Sequence, residues 1–444
     1  MNTQKSNGLA PFIMLTIVFF IVGFMTIING QCQGPLKIAF LEYAGGLRNT
    51  LTTMISFCFF SGFLVNGAIG GKWINHYGYK NSLLRGLAVM TVGMSVYFIS
   101  SWFADHFREL TLSIGQDRIP YGYFIFLIGS FLMGSAAALL QTVITPYVSA
   151  YDLPNTQPVQ RVNIACAVNS LGTTLAPFFV TVVMFNGVSI DKVQVGQLIM
   201  PFLILTICII IIRFVVSRLS LPDIKNTRSE DDNALRQNIW SFRHFKLGVV
   251  AIFFYVGAEV AVGTTVNLHA MELAGLGNTV SFFGRNHLII GGLDLGIPAL
   301  LATFYWGGMM IGRIISGFFN SISPRIQLTV STILASILIF IAVLTNNLWV
   351  LVSVGLCHSV MWGCIFTLAV KGLKEYTSKA SGLFMMGAFG GAVFPVLQGI
   401  LADLLGSWQW TWMLIIICEL VMLYYALSGS HVRTDQKEIL ERHI

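Results

Sequence analysis

The sequence predicts an all-α membrane protein with twelve transmembrane helices in two six-helix halves. Three observations predict it. The 444 residues are 55% hydrophobic and only 10% charged, where a soluble domain carries about a quarter charged residues; the mean hydropathy is +0.75. Twelve runs reach the length of about 20 mostly apolar residues that a spanning helix needs. The longest charged stretch, "RLSLPDIKNTRSEDDNALRQNIWSFRHFK" at 218–246, divides those runs six and six.

Taken in order, the first run, 11–33, is apolar up to a polar end, "TIINGQCQG", after which Pro35 ends or kinks the segment. It has no cleavage site behind it and leads straight into further runs, so it is expected to stay as an anchor. The second and third runs, 51–74 and 82–104, flank a short turn, "GGKWINHYGYK". The fourth, 120–149, carries Pro146, and the fifth, 162–186, is rich in Asn, Ser and Thr. The sixth, 197–218, precedes the central charged stretch. The remaining six lie at 246–270, 298–320, 326–345, 348–373, 380–405 and 408–428. The fourth, tenth and eleventh are long enough to tilt or project from the bilayer. The expected division is a first half at 1–218, a cytoplasmic loop at 219–246, a second half at 247–428 and a cytoplasmic tail at 429–444.

With both termini in the cytoplasm, 20 Lys and Arg fall on inner segments and 6 on outer ones. That bias supports an even number of spans with both ends inside. It also ascribes the net charge of +7 to anionic cytoplasmic lipid and leaves nucleic acid without a role. The seven cysteines lie in or beside apolar runs, without a Cys-x-x-Cys pair or a zinc spacing, and read as packing residues. No P-loop, Gly-x-Ser-x-Gly elbow or His-Glu-x-x-His motif is present, which argues against an enzyme and against a bound cofactor. A monomer in a bacterial cytoplasmic (inner) membrane is expected. Two parallel six-helix halves are a transporter layout.

Polar side chains at hydrocarbon depth are costly and usually face a bundle interior or a wet cavity. In the first span Asn29 and Gln33 share a helix face, and Gly30 and Gly34 would admit a close neighbour. Gln141 and Thr145 lie four apart in the fourth span; Asn163, Asn169 and Thr173 follow in the fifth. In the second half Glu259 stands in an apolar context, joined by Trp306, His358, Trp362 and Gln398. An acid at that depth can exchange a proton or hold a cation, which makes Glu259 the candidate coupling residue. Glu419, in a helix expected at the periphery, ranks below it. Amides, one acid, an imidazole and an indole without net charge excess suit a neutral polyhydroxylated solute. The candidate solute set is therefore Asn29, Gln33, Gln141, Asn163, Asn169, Trp306, His358 and Gln398.

Gly71, Asn75, His76, Gly78 and Lys80 resemble the loop signature of the major facilitator superfamily, with Asn75 and His76 in place of its acid and first base. "GRIISGFFNSISPR" (312–325) is a weak echo in the second half. Within that superfamily, "FFIVGFMTIINGQCQGPLKIAF", "LLQTVITPYVSAYDLP", "RVNIACAVNSLGTTLAP", "FFYVGAEVAVGT", "YWGGMMIGR" and "YTSKASGLFMMGAFGGAVFPVLQGILAD" resemble the fucose–galactose–gluconate symporter family. The resemblance implies uptake of a hexose or related sugar driven by a cation gradient. In the fucose permease branch an Asp follows the first-span Asn and the fourth span carries an acid; here those places hold Gly30 and Gln141. Gln141 and Glu259 look like the glucose/galactose branch, some of whose members use sodium, so the coupling cation is H+ or Na+. The alternatives are an uncoupled facilitator or exporter, favoured by Gly30 and Gln141, and a non-transporting membrane sensor.

Overall fold

The structure is a computed structural model. It describes residues 9–41, 44–114, 117–151, 153–154, 156, 158–185, 194–219, 221, 238–277, 280–281, 285, 287–290, 293–316, 322–373 and 377–432. Most of the central loop, the tail from 433 onward and residues 317–321 of the second-half echo lie outside these.

Thirteen α-helices are described: α1 (Leu9–Gln31), α2 (Gln33–Ala39), α3 (Arg48–His106), α4 (Tyr121–Ala150), α5 (Pro158–Phe179), α6 (Ile199–Arg218), α7 (Arg243–Gly275), α8 (Ile297–Ser316), α9 (Pro324–Thr345), α10 (Leu348–Ala369), α11 (Thr377–Met386), α12 (Gly390–Leu405) and α13 (Met413–Tyr424). They supply the twelve spans. The first is α1 with α2, and the eleventh is α11 with α12. α3 holds the second and third spans, broken at Gly78, whose φ of 75° only glycine adopts readily. Eleven segments among the described residues are long and apolar enough to cross a membrane, and α8 stands where the sequence expects the eighth span.

Local chemistry explains several boundaries. α1 gives way to α2 at Cys32, because Pro35 lacks the N–H that would bond the Gln31 carbonyl and its ring crowds that carbonyl. The break thus falls one turn ahead of the proline. α9 ends on Asn346 in the left-handed conformation, and the Asn347 side chain accepts from the Trp349 amide at 2.9 Å to cap α10. Two adjacent asparagines so make the hairpin between spans nine and ten. The tenth helix stops at Ala369, short of the expected 373, in a turn with Gly372 at φ 77°.

Two antiparallel hairpins were not expected from the sequence. β1 (Thr111–Ile114) pairs with β2 (Asp117–Pro120), and β3 (His287–Ile290) with β4 (Leu293–Gly296). They occupy the connections between spans three and four and between spans seven and eight.

The chain separates into two compact units, Met1–Arg228 with Ser281–Thr303, and Ser229–Val280 with Phe304–Ile444. The main division falls inside the charged stretch that the sequence singles out. In the first unit α3 packs along α4, and α1 along α5. In the second, α7 packs against α10, α12 and α13, and α9 against α10 and α13. Glycines permit the tightest approaches. A Cβ on Gly134 of α4 would lie 1.7 Å from the Phe59 carbonyl oxygen of α3, and one on Gly62 would lie 2.3 Å from the Ser135 amide. Small residues let helix backbones touch where lipid supplies no hydrophobic drive for association.

Gly134→Ala should therefore force α3 and α4 apart and destabilise the protein by at least the ~1–3 kcal/mol typical of overpacking. Gly363→Ala, where nothing lies within 4 Å of the new carbon, should be neutral or stabilising. Thermal unfolding of the two variants in detergent checks the contrast.

Candidate functional site

The residues singled out at hydrocarbon depth form two clusters, one in each unit. In the first, the Asn29 side-chain oxygen accepts from the Tyr97 hydroxyl and, at 2.8 Å, from the Ser130 hydroxyl. Tyr97 and Ser130 also lie 3.0 Å apart. One amide oxygen thus ties α1, α3 and α4 together. The Tyr97 ring is fixed by stacking on Phe126, with centroids 4.2 Å apart. One helical turn beyond Asn29, Gln33 donates its amide N–H to Ser56 of α3. Its side-chain oxygen is buried and makes no hydrogen bond among the described residues. Both residues do share the inner face that the sequence assigns them.

Asn169 reaches across from α5 and donates to the Phe19 carbonyl of α1 at 2.7 Å. Close packing permits this: a Cβ on Gly23 would meet the Asn169 amide nitrogen at 2.6 Å. Gln141 is half-buried on α4. Asn163 lies in α5, but its side chain is outside the described residues.

The second unit's cluster is built on α7, α8, α10 and α13. Glu259 lies 16 residues from the C-terminal end of α7 and Arg313 16 residues from the N-terminal end of α8 (275 − 259 and 313 − 297). At a rise of ~1.5 Å per residue the two antiparallel helices bring them to one depth. Their charged atoms stand 4.0 Å apart, with the Glu259 side chain 13% exposed and the Arg313 side chain 38% exposed. Arg313, counted from the sequence among the inner-segment cations, is thus the partner of an intramembrane acid. A pair with one member partly exposed can be parted at less cost than a sealed one.

Behind this pair is a closed chain. His358 of α10 has one ring nitrogen 2.8 Å from Glu419 of α13 and the other 2.6 Å from the Tyr305 hydroxyl of α8. His358 and Glu419 side chains are both 0% exposed. The Tyr255 hydroxyl of α7 donates to the His358 carbonyl at 2.9 Å and faces the Glu259 carboxyl. His358, expected to line the solute path, has both ring nitrogens engaged by protein.

Trp306 is buried with its indole edge over Gly263; a Cβ there would sit 2.5 Å from the ring. Gln398 is held at both ends of its amide. Thr265 donates to its oxygen at 2.9 Å, and its N–H donates to Thr411 at 3.0 Å. It joins α12 to α7 and stands apart from Glu259 in the hydrogen-bond pattern.

Sequence reasoning missed Tyr97, Ser130, Tyr255 and Tyr305, and ranked Glu419 low. One signal was available: Tyr255 lies four residues before Glu259, on the same helical face. Nothing in the sequence links Glu419 to a histidine 61 residues earlier.

The family model described as Major Facilitator Superfamily matches residues 19–395. A glucose/galactose transporter of Brucella abortus is 30% identical over 97% of this chain and 96% of its own length. A putative glucose/galactose transporter of Helicobacter pylori is 29% identical over 96% of this chain and 98% of its own. Among solved structures, the E. coli fucose:proton symporter superposes with a TM-score of 0.63 at 20% identity, covering 96% of this chain and 99% of its own.

Asn29→Ala should remove the acceptor shared by two buried hydroxyls and destabilise the protein by roughly 1–3 kcal/mol. Tyr97→Phe in that background should recover part of the loss. Thermal unfolding of the single and double variants measures the coupling, which is absent if the losses simply add.

Proposed function

The chain belongs to the Major Facilitator Superfamily, in its fucose–galactose–gluconate symporter branch, and from this we propose that it imports a hexose or related sugar by cation symport with alternating access. The observation that carries the reading is the end-to-end likeness to the Brucella glucose/galactose transporter, 30% identical over 97% of this chain and 96% of its own length. The site chemistry supports it. Sugars present hydroxyls that demand amide and carboxyl partners, and C–H faces that pack on aromatic rings.

In this reading Gln141 and Glu259, both half-buried, meet sugar hydroxyls directly. Asn29 and Asn169 act from within their interhelical bonds, and Trp306 supplies the stacking wall. Glu259 is the coupling residue. A cation on its carboxylate, H+ or Na+, weakens the pull on Arg313; an empty Glu259 draws Arg313 back. An alternating-access transporter switches readily only when its site's charges and polar groups are satisfied. Sugar and cation together meet that condition, and either alone does not. An uncoupled facilitator or exporter is the second reading, favoured by Gly30 and Gln141 where fucose-type proteins carry acids.

Radiolabelled uptake into proteoliposomes decides among these. A panel of hexoses and amino sugars is presented under an inward proton gradient, an inward sodium gradient and no gradient. Accumulation above equilibrium is expected under one of the two gradients; equilibration alone under all three supports the facilitator. Glu259→Gln should abolish gradient-driven accumulation while the protein still exchanges labelled for unlabelled sugar. Full uphill uptake by that variant removes Glu259 from coupling.

A further inference from the structure

We propose that Glu419 and His358 form a dedicated proton-binding site, distinct from Glu259 and connected to it through Tyr255 and the α10 backbone. The proposal rests on the cation-coupled reading above and deepens it by naming the cation and a second place where it is held.

The geometry points to a shared proton. Glu419 and His358 are both 0% exposed and 2.8 Å apart, so no water enters to solvate an excess charge. The second Glu419 oxygen is buried and has no hydrogen-bond partner among the described residues. A carboxylate with one hydrogen bond is poorly stabilised away from water. A carboxylic acid whose O–H donates to the His358 ring nitrogen leaves only a carbonyl oxygen bare, which is the least demanding arrangement. The other ring nitrogen then carries its hydrogen and donates to the Tyr305 oxygen, 2.6 Å away. The alternative placement, imidazolium beside carboxylate, holds the same single proton. Either way the loaded pair is neutral. Loss of the proton leaves one net negative charge sealed among four helices.

The surrounding groups fix what that charge meets. From α7 come Tyr255 and Glu259, and from α8 come Tyr305 and Arg313. Cys357 and Cys418 are the neighbours of His358 and Glu419 in the chain. α9, packed against α10 and α13, has Arg325 as its one titratable residue, held 2.8 Å from His431 at the cytoplasmic end. Arg313 faces Glu259 while its guanidinium also approaches the Ser359 carbonyl next to His358 at 3.5 Å. With the proton in place, Glu259 and Arg313 balance each other. With it gone, two acids compete for one arginine. The proton on Glu419–His358 thus sets how strongly Arg313 holds Glu259, and through that pair how freely Glu259 takes sugar.

The test uses the purified full-length protein in liposomes with two readouts. Infrared difference spectra between acidic and alkaline buffer, without sugar, should show a protonated-carboxyl band that titrates with pH. The band should be lost in Glu419→Gln and displaced in His358→Gln. In parallel, the ratio of proton-driven accumulation to sugar counterflow should fall, in Glu419→Gln, to that of the gradient-free control. Should that variant fail to assemble, Glu419→Asp, which keeps the acid but shortens its reach, should show a displaced band. A band unchanged in Glu419→Gln or Glu419→Asp overturns the proposal, as does undiminished proton-driven accumulation in Glu419→Gln. Absence of wild-type counterflow with every sugar overturns the sugar reading, while the infrared band still decides the proton site.

Discussion

Hydrocarbon offers no hydrogen-bond partner, and each polar group placed in it must find one within the protein. In a helical membrane protein the backbone is satisfied inside each helix, so the demand falls on side chains and becomes an instruction about which helices must touch. Asn29 can be satisfied only if α3 and α4 bring Tyr97 and Ser130 to it. Gln398 needs Thr265 from α7 and Thr411 from the turn before α13. Many threonines and serines satisfy themselves on the carbonyl one turn back, as Thr91 does on Leu87 and Thr264 on Val260, and instruct nothing. The few amides and acids thus determine helix pairing out of proportion to their number. The same groups are the ones able to recognise a solute, so architecture and recognition draw on one small set of side chains.

The two clusters differ in kind. The first unit's is made of amides and hydroxyls and carries no charge, so its bonds can be exchanged for those of a neutral hydroxylated ligand with little electrostatic consequence. The second unit's holds two acids, an arginine and an imidazole within a framework of tyrosines. Changes of protonation or ion occupancy there alter net charge, which a low-dielectric surrounding magnifies. Of the two clusters, only the second unit's contains groups whose charge can change.

The spans, their number and the six-and-six division were legible in the sequence, because composition and length decide them. Asn29, Gln33 and Glu259 stood out as polar residues in apolar runs, and the structure turns each of them onto a protein partner. The tyrosines were not legible. A tyrosine in a spanning helix reads as a ring, and whether its hydroxyl matters depends on which neighbouring helix it meets. Glu419 was visible as an acid, but its pairing with His358 was not, since that partner lies on another helix. The hairpins escaped because strands of four residues, such as "TLSI" and "DRIP", are too short for alternation to register. The kink at Cys32 follows from Pro35 but is displaced from it by the reach of a helical hydrogen bond.

Gly78 and Lys80 carry an implication for how the protein is made. The left-handed turn lets spans two and three fold back on each other as soon as both have left the ribosome. Lys80, just past that turn, donates to the carbonyls of Ser217 and Leu219, 3.0 and 2.8 Å away at the end of α6. Those acceptors are synthesised 137 and 139 residues later. Its two bonds fasten the last helix of the first half to an early one, and they cannot form before the sixth span is made. Completion of the N-terminal bundle is in this way marked by a latch that cannot close before the final strand of nascent chain is in place.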